Sequence, residues 1–304
     1  MTAIQQTGET GAEKEIGTSA SNSGGVAYFL RFLRSNPATV VGLTIVVLIV
    51  LMAAFAPEIA PYGANDNTGQ MLAAPSWDHL FGTNVQGRDL FSRVVLGSRA
   101  SLGVAFPSVA LALAIGLPIG MLTGFIGGAF DSLFIRLFDI IFALPTILFA
   151  IALVAYLGPS TRNLVLTIAV LYIPRVAMVA RSPTLSVKTR EFVLASRMFG
   201  ASMPWILRRH ILPNIAGPIL IEASLLLSTA LLTEAALSFL GLGIQPPNPS
   251  WGADLGKGRD FMELGAYQVM FPGLMIMIAV LGFNLLGDGL RDYFDPRNQQ
   301  GPKA

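Results

Sequence analysis

Ionisable side chains stand inside long apolar runs of this sequence, and there they can do chemistry. Glu222 and Glu234 lie in one such run, Asp139 in another and Arg175 in a third. Charge in hydrocarbon is costly, so such groups face a water-filled passage or a partner. Glu222 and Glu234 are twelve residues apart, which turns a helix about 120° beyond whole turns. They therefore do not share a narrow face. Glu222 fits packing at a helix interface. Glu234 fits either attraction of an amino group or cation, or a hydrogen bond to a neighbouring helix. Arg136 precedes Asp139 by one turn, the spacing of a structural i, i+3 pair. Arg175 reads as a side chain that snorkels or faces lipid.

Other chemistries fail on residue type. The sequence has no cysteine, so disulfides, thiolate metal sites and cysteine nucleophiles are excluded. Its two histidines, His79 and His210, are too few for a histidine-rich metal site. No metal ligand set is expected, and the eleven methionines are scattered through apolar runs. Gly252-Ala-Asp-Leu-Gly256-Lys257-Gly258 superficially resembles a phosphate loop. It has one residue too few between its glycines, and Gly258 stands where Ser or Thr would bind magnesium.

The elements that position these residues are membrane spans. The chain is 53% hydrophobic and 12% charged, with a mean hydropathy of +0.63. A soluble domain carries about 25% charged residues. A helix needs about 20 mostly apolar residues to cross a bilayer. Six stretches qualify: 38–56, 100–130 (long or kinked, with Pro107 and Pro118), 134–157, 164–180, 215–237 and 269–286. The reading is an all-α polytopic membrane protein with six transmembrane helices and both termini on one side. Residues 1–27 form an expected disordered cytoplasmic tail. Residues 28–98 hold the first span and an external loop, 99–290 the core, and 291–304 a cytoplasmic C-terminal tail. Within the external loop, Arg88 to Val95 alternates charge and apolar face like a short interfacial helix. Residues 245–252 are too proline-rich for regular structure.

Lys and Arg near span ends set orientation. With cytoplasmic termini, 14 of the 20 fall on the inner side, among them Lys188, Arg190, Arg197, Arg208 and Arg209, and six on the outer. This bias predicts that the loop 181–213 faces the cytoplasm in a multi-pass membrane protein. Within it Phe192, Ala195 and Phe199 form a narrow apolar stripe before Gly200. Ser202 can cap a second helix with Pro204 in its first turn, and Pro213 is expected to break the pattern. Two short helices meeting at a glycine make a knob, and Trp205 with Phe192 and Phe199 can anchor it in a partner's groove. An ordinary basic inner loop is the alternative from charge alone.

This segment resembles the cytoplasmic signature of ATP-binding-cassette (ABC) importer permeases: Glu-Ala-Ala, three residues, Gly, nine residues, Ile-x-Leu-Pro. Aligned on Gly200, the chain has Leu194-Ala195-Ser196, then His210-Ile211-Leu212-Pro213. Leu194 stands where the family has its acid, Ser196 where it has the second alanine and His210 where it has isoleucine; Glu191 lies one turn earlier. Phe81-Gly82-Thr83 with Gly87-Arg88-Asp89-Leu90-Phe91-Ser92-Arg93 is similar to an external signature of the C-type permease of dipeptide/oligopeptide importers. Glu234 to Gly243, Gln245-Pro246-Pro247, Ser250-Trp251-Gly252, Phe283 to Asp292 and Asp295-Pro296 match as well. The resemblance covers nearly everything after about residue 28.

The resemblance implies a type I ABC importer permease fold and a non-catalytic role. A homologous B-type permease subunit would complete the pathway. Two cytoplasmic ATP-binding subunits would carry the ATP and Mg, and an extracytoplasmic substrate-binding protein would deliver peptide. No cofactor is expected on this chain, and no nucleic acid as a partner; membrane lipid surrounds it. The coupling residues would be Glu191, Phe192, Ala195, Ser196, Phe199, Gly200, Trp205, Leu212 and Pro213. Candidate pathway residues are Glu234, Glu222, Asn284 and Asp139. Glutathione, nickel chelates and opine- or sugar-type solutes are alternatives to peptides. A proton-coupled transporter using Glu222 and Glu234 as relays, or a channel or scaffold, are the rival classes.

Overall fold

The computed structural model describes residues 36–294, so the two expected tails fall outside it except for 291–294. Those four residues end the last helix, three residues past the expected start of the tail. Among the described residues the secondary structure is helical, apart from one isolated bridge between Thr83 and Asp89.

The elements in order are α1 (Pro37–Ala54), α2 (Ala56–Ile59), α3 (Leu90–Ile126), α4 (Gly128–Phe142), α5 (Thr146–Leu157), α6 (Thr161–Val187), α7 (Glu191–Met198), α8 (Met203–Ile206), α9 (Leu212–Phe239), α10 (Trp251–Arg259) and α11 (Tyr267–Phe294). A π-helical turn at Leu207–Ile211 joins α8 to α9. Five helical stretches are long and apolar enough to cross a membrane: α1, α3, α6, the continuous run 203–239, and α11. The sixth crossing is the pair α4 and α5, bent by 89°.

Four boundaries differ from expectation. The connection expected at 181–213 begins only at 188, because α6 continues helically through Pro183 to Val187. The third span is broken. At 15 and 12 residues, α4 and α5 reach only about 22 and 18 Å at 1.5 Å per residue, so neither crosses alone. Pro145 explains the break: it has no N–H to continue the ladder and pushes Leu144 out of helical geometry. The Arg88–Val95 segment is not a separate interfacial helix. Asp89 caps α3 by accepting from the Ser92 backbone N–H at 2.7 Å, and the helix runs unbroken from Leu90 through Pro107 and Pro118 to Ile126. Pro213 does not break the fifth span, because the π turn preceding it absorbs the irregularity and the helix continues.

Small residues bring α3 and α6 together side by side. Gly116 lies over Ile173 and Val176, Gly120 over Ala177 and Ala180, and Gly124 over Arg181 and Thr184. Both chains advance in the same direction, so these two helices are parallel. A Cβ on Gly120 would collide with the Ala177 carbonyl oxygen. Such spacing of small residues allows the close backbone approach on which helix association in lipid depends. α11 packs antiparallel to α1, with Gly289 over Thr39 and Gly42 over Leu285. It also packs against α9, where the Ser224 hydroxyl donates to the Phe283 carbonyl at 2.8 Å.

One end of the bundle is closed by residues 55–89 and 240–266. Trp251, fully buried, donates its indole N–H to the Val94 carbonyl at 2.9 Å. Arg93, also fully buried, gives Nε and Nη2 to Asp254 Oδ1 at 3.1 and 2.5 Å. His79 Nδ1 lies 2.9 Å from Asp89 Oδ1. The opposite end carries the α6–α9 connection.

Candidate functional site

The α6–α9 connection starts where Lys188 caps the end of α6 and donates Nζ to the Gly124 carbonyl at 2.6 Å. α7 follows, with Glu191 in its first turn, where a carboxylate opposes the helix dipole favourably. The helix ends in a Schellman arrangement: Ala201 N–H reaches the Ser196 carbonyl and Gly200 N–H the Arg197 carbonyl, each at 3.0 Å. Gly200 has φ +78°, with no atom within 4 Å of where a Cβ would sit. Conformation, not space, demands glycine there. Ser202 precedes α8 as expected but makes no side-chain cap bond, and Pro204 occupies the first turn.

Two faces result. Val193, Ile206, Leu207 and Ile211 are buried with Phe125, Ala180 and Val187, which fastens the knob to the adjoining ends of α3 and α6. Arg197 covers the Phe125 ring, 4.3 Å from its centroid. On the other face Phe199 is 93% exposed and Met198 88%, with Phe192, Leu194 and Trp205 also open. His210 joins the two helices: its Nε2 lies 3.0 Å from Ser196 Oγ. Its ring stands 5.0 Å from Trp205 edge-on and 5.5 Å from Phe192. Glu191, Ala195 and Pro213 are exposed, and Leu212 half-buried. Thus the nine residues named from sequence share one structural unit, though only some sit at its tip. Ser196 and His210, departures from the family pattern, bond each other. The arrangement is a rigid, apolar-tipped projection able to seat in a groove of a partner.

The four candidate pathway residues are not gathered at one place. Glu222 pairs with Arg175 Nε, joining α9 to α6. Arg175 therefore does not simply snorkel: a carboxylate on the next helix holds it. Glu234 is buried and accepts from the Ser238 hydroxyl at 2.7 Å through Oε1, while Oε2 has no partner. Asp139 is exposed on α4, and it forms no ion pair with Arg136 among the described residues. Arg136 also lies open; the α4 charge that pairs is Asp131, gripped by Arg181 at 2.5 and 2.6 Å. Asn284 is half-buried on α11.

A cavity of about 430 Å³ does open between the α4–α5 bend, α6 and α9. Tyr172, Arg175, Thr146, Thr229 and Thr233 supply its polar wall, and none of the four candidates lines it. Tyr172 Oη lies 2.9 Å from Thr233 Oγ1. Sequence reasoning missed this wall although a signal existed. Glu222, Thr229 and Thr233 stand at i, i+7 and i+11, a polar stripe on one face of the fifth span. Gly252–Gly258 is part of α10, a helix rather than a phosphate-cradling loop. No cluster of metal-ligating residues occurs among the described residues.

Known proteins agree with this architecture. Residues 116–300 match the family model described as binding-protein-dependent transport system inner membrane component. Residues 26–75 match the N-terminal TM domain of oligopeptide transport permease C. The chain is 44% identical over 266 residues to the dipeptide transport system permease protein DppC of Alkalihalophilus pseudofirmus, covering 87% of this chain and 88% of that one. It is 41% identical over 276 residues to the di/tripeptide transport system permease protein DppC of Pseudomonas aeruginosa, covering 88% and 91%. It is also 43% identical over 272 residues to the glutathione transport system permease protein GsiD of Shigella flexneri, covering 89% of each. With a family model spanning most of the bundle and relatives this similar over nearly their whole length, the chain belongs to the family of inner-membrane components of binding-protein-dependent transport systems and is an ABC importer permease subunit.

Proposed function

We propose that this subunit forms half of a peptide pathway and that its 188–213 segment is the seat of a cytoplasmic ATPase. The observation that carries the reading is the division of that segment into a buried face and an apolar tip. A loop serving only topology has no use for a Phe199 almost wholly open to solvent on a glycine-locked turn. A partner that grips the tip moves α3 and α6 with it, because Val193 and Ile206 are packed against their ends. Rigid-body alternation of this kind needs ATP-dependent contacts that differ between two states.

The charge bias of Lys and Arg supports cytoplasmic termini, with the tip inside and the 55–89 and 240–266 layer outside. A B-type permease half, two ATPases and an external binding protein complete the assembly. The hydroxyl-lined cavity beside Arg175 is this chain's share of the pathway wall, and Glu222 belongs to it by orienting Arg175. Asp139 and Asn284 are more peripheral pathway candidates. Glu234 bonds within its own helix and does not line that cavity, so it is not assigned to the wall. Peptides are the proposed solute because two of the relatives are named for di- and tripeptides. A glutathione-type solute is the second reading, supported by the relative named for it; both are short peptides with free carboxylates.

Reconstitution of the complete complex in proteoliposomes tests this. Dipeptide uptake should require ATP, stop with vanadate and persist with an uncoupler. Uptake that follows the proton gradient without ATP would sink the proposal.

A further inference from the structure

α4 is held loosely. Among its 15 residues only Phe138 is buried, whereas its bent partner α5 sets Ala150 and Val154 in the core beside Leu164 and Ile168. Both ends of α4 are jointed. Gly127 and Gly128 link it to α3 with φ of +75° and +63°, and Gly127, with ψ −161°, occupies a region almost reserved for glycine. At the far end Pro145 breaks the helix, just after Ile141 and Phe142 have joined the wall of the Arg175 cavity. Among the described residues, the one polar side-chain contact from α4 to another element is made by Asp131. Its two carboxylate oxygens accept from Arg181 Nε and Nη2 at 2.5 and 2.6 Å. Arg181 lies near the end of α6, which is locked to α3 where Gly124 packs on Arg181 and Thr184 and where Lys188 Nζ reaches the Gly124 carbonyl. Arg197 of the coupling segment covers Phe125 at the same place. These helix ends and the 188–213 segment are one block, and α4 hangs from it by a glycine joint and an ion pair. The joint leaves direction open. A bidentate pair sets it, because two parallel bonds fix orientation as well as distance.

We infer that Asp131 and Arg181 are positioning residues for transport: their pair sets the direction of α4, so that movement of the block reaches the cavity wall at Ile141 and Phe142. At 1.5 Å per residue Phe142 lies roughly 21 Å along α4 from Gly128, so a swing of about 10° at the joint moves it by about 4 Å. Without the pair the block moves and this wall does not follow. Neither residue lines the cavity, so the pair acts on the wall's position and not on the solute. The inference rests on the ATPase-seat reading for what drives the block, and on the contacts of α4 for what the block carries with it.

The chain has no cysteine, so nitroxide labels can be placed at Ile140→Cys and Val170→Cys, exposed positions on α4 and α6, in a complex with cysteine-free partner subunits. Electron paramagnetic resonance should give a narrow distance distribution between them. Arg181→Gln should widen or shift it, and the swap of Asp131→Arg with Arg181→Asp should restore it. In proteoliposomes, without labels, Arg181→Gln should lower uptake per ATP hydrolysed about tenfold, the scale of a broken coupling contact, while the complex still assembles. The swap should recover most of that loss. Arg181→Lys, which keeps the charge without the fork, should fall between. Distances unchanged by Arg181→Gln, as when a partner subunit holds α4 instead, would overturn the inference. So would unchanged uptake per ATP, or an assembled swap that restores neither quantity. Should Arg181→Gln fail to assemble, Arg181→Lys is read by the same two measurements, and parental values in both would overturn it. A parent complex without ATP-driven uptake, whose label distances still respond to Arg181→Gln and to the swap, would remove the importer reading and keep the pair's hold on α4.

Discussion

The two ends of the bundle solve opposite problems with different means. The 188–213 segment is short, made of two brief helices, a glycine turn and a π turn, and leaves its largest apolar side chains in solvent. The 55–89 and 240–266 layer is long and largely irregular, yet it buries Trp251, Arg93, His79 and Asp89. The first end holds its shape through one glycine turn, one Ser196–His210 contact and a buried face of Val193, Ile206, Leu207 and Ile211 packed on the adjoining ends of α3 and α6. The second holds through side chains that reach across the sequence, Arg93 to Asp254 over 161 residues.

That contrast breaks first at Arg93. Arg93→Ala leaves the Asp254 carboxylate buried without its cation, which should destabilise the protein by about 3–5 kcal/mol. Thermal unfolding in detergent should show a large drop, and an unchanged melting temperature would mean the layer of 55–89 and 240–266 is not knit by this pair. At the coupling end Trp205→Ala should leave melting unaltered and weaken ATPase-subunit association by about 2 kcal/mol, the scale of an aromatic hot spot. Binding measured between purified subunits checks it; equal affinity would remove the tip from the interface. Gly200→Val places a β-branched residue at φ +78°, costing about 1–3 kcal/mol locally. Membrane insertion should persist while ATP hydrolysis no longer drives uptake, and normal coupling would contradict the role of the turn. Ser196→Ala should be mildest, about 1 kcal/mol or less from one partly buried hydrogen bond. Amide exchange in α7 should rise slightly, with transport retained.

Much of the membrane architecture was legible because hydropathy over a window of twenty residues is a local property. The stretches 38–56, 164–180, 215–237 and 269–286 each fall within or nearly within an observed helix. Gly200 was legible for a similar reason, since a helix–glycine–helix pattern states its turn chemistry within a few residues. The third span was not, because a 20-residue apolar window does not register the 89° bend at Pro145. Arg88–Val95 misled because a charged amphipathic stretch looks the same at a lipid interface and under a folded lid. Its Arg93 could be assigned only by knowing what covers it.

The order of apolar runs, the uneven division of basic residues between the two ends of the bundle and the glycine demanded by a left-handed turn follow from the chain alone, since each is written in short stretches of sequence. Tertiary structure decided the partners: Glu222 for Arg175, Asp131 for Arg181 and Asp254 for Arg93. Those choices depend on how far each helix is rotated and how closely glycines let α3 approach α6. Rotation and approach are set by packing among residues far apart in the sequence.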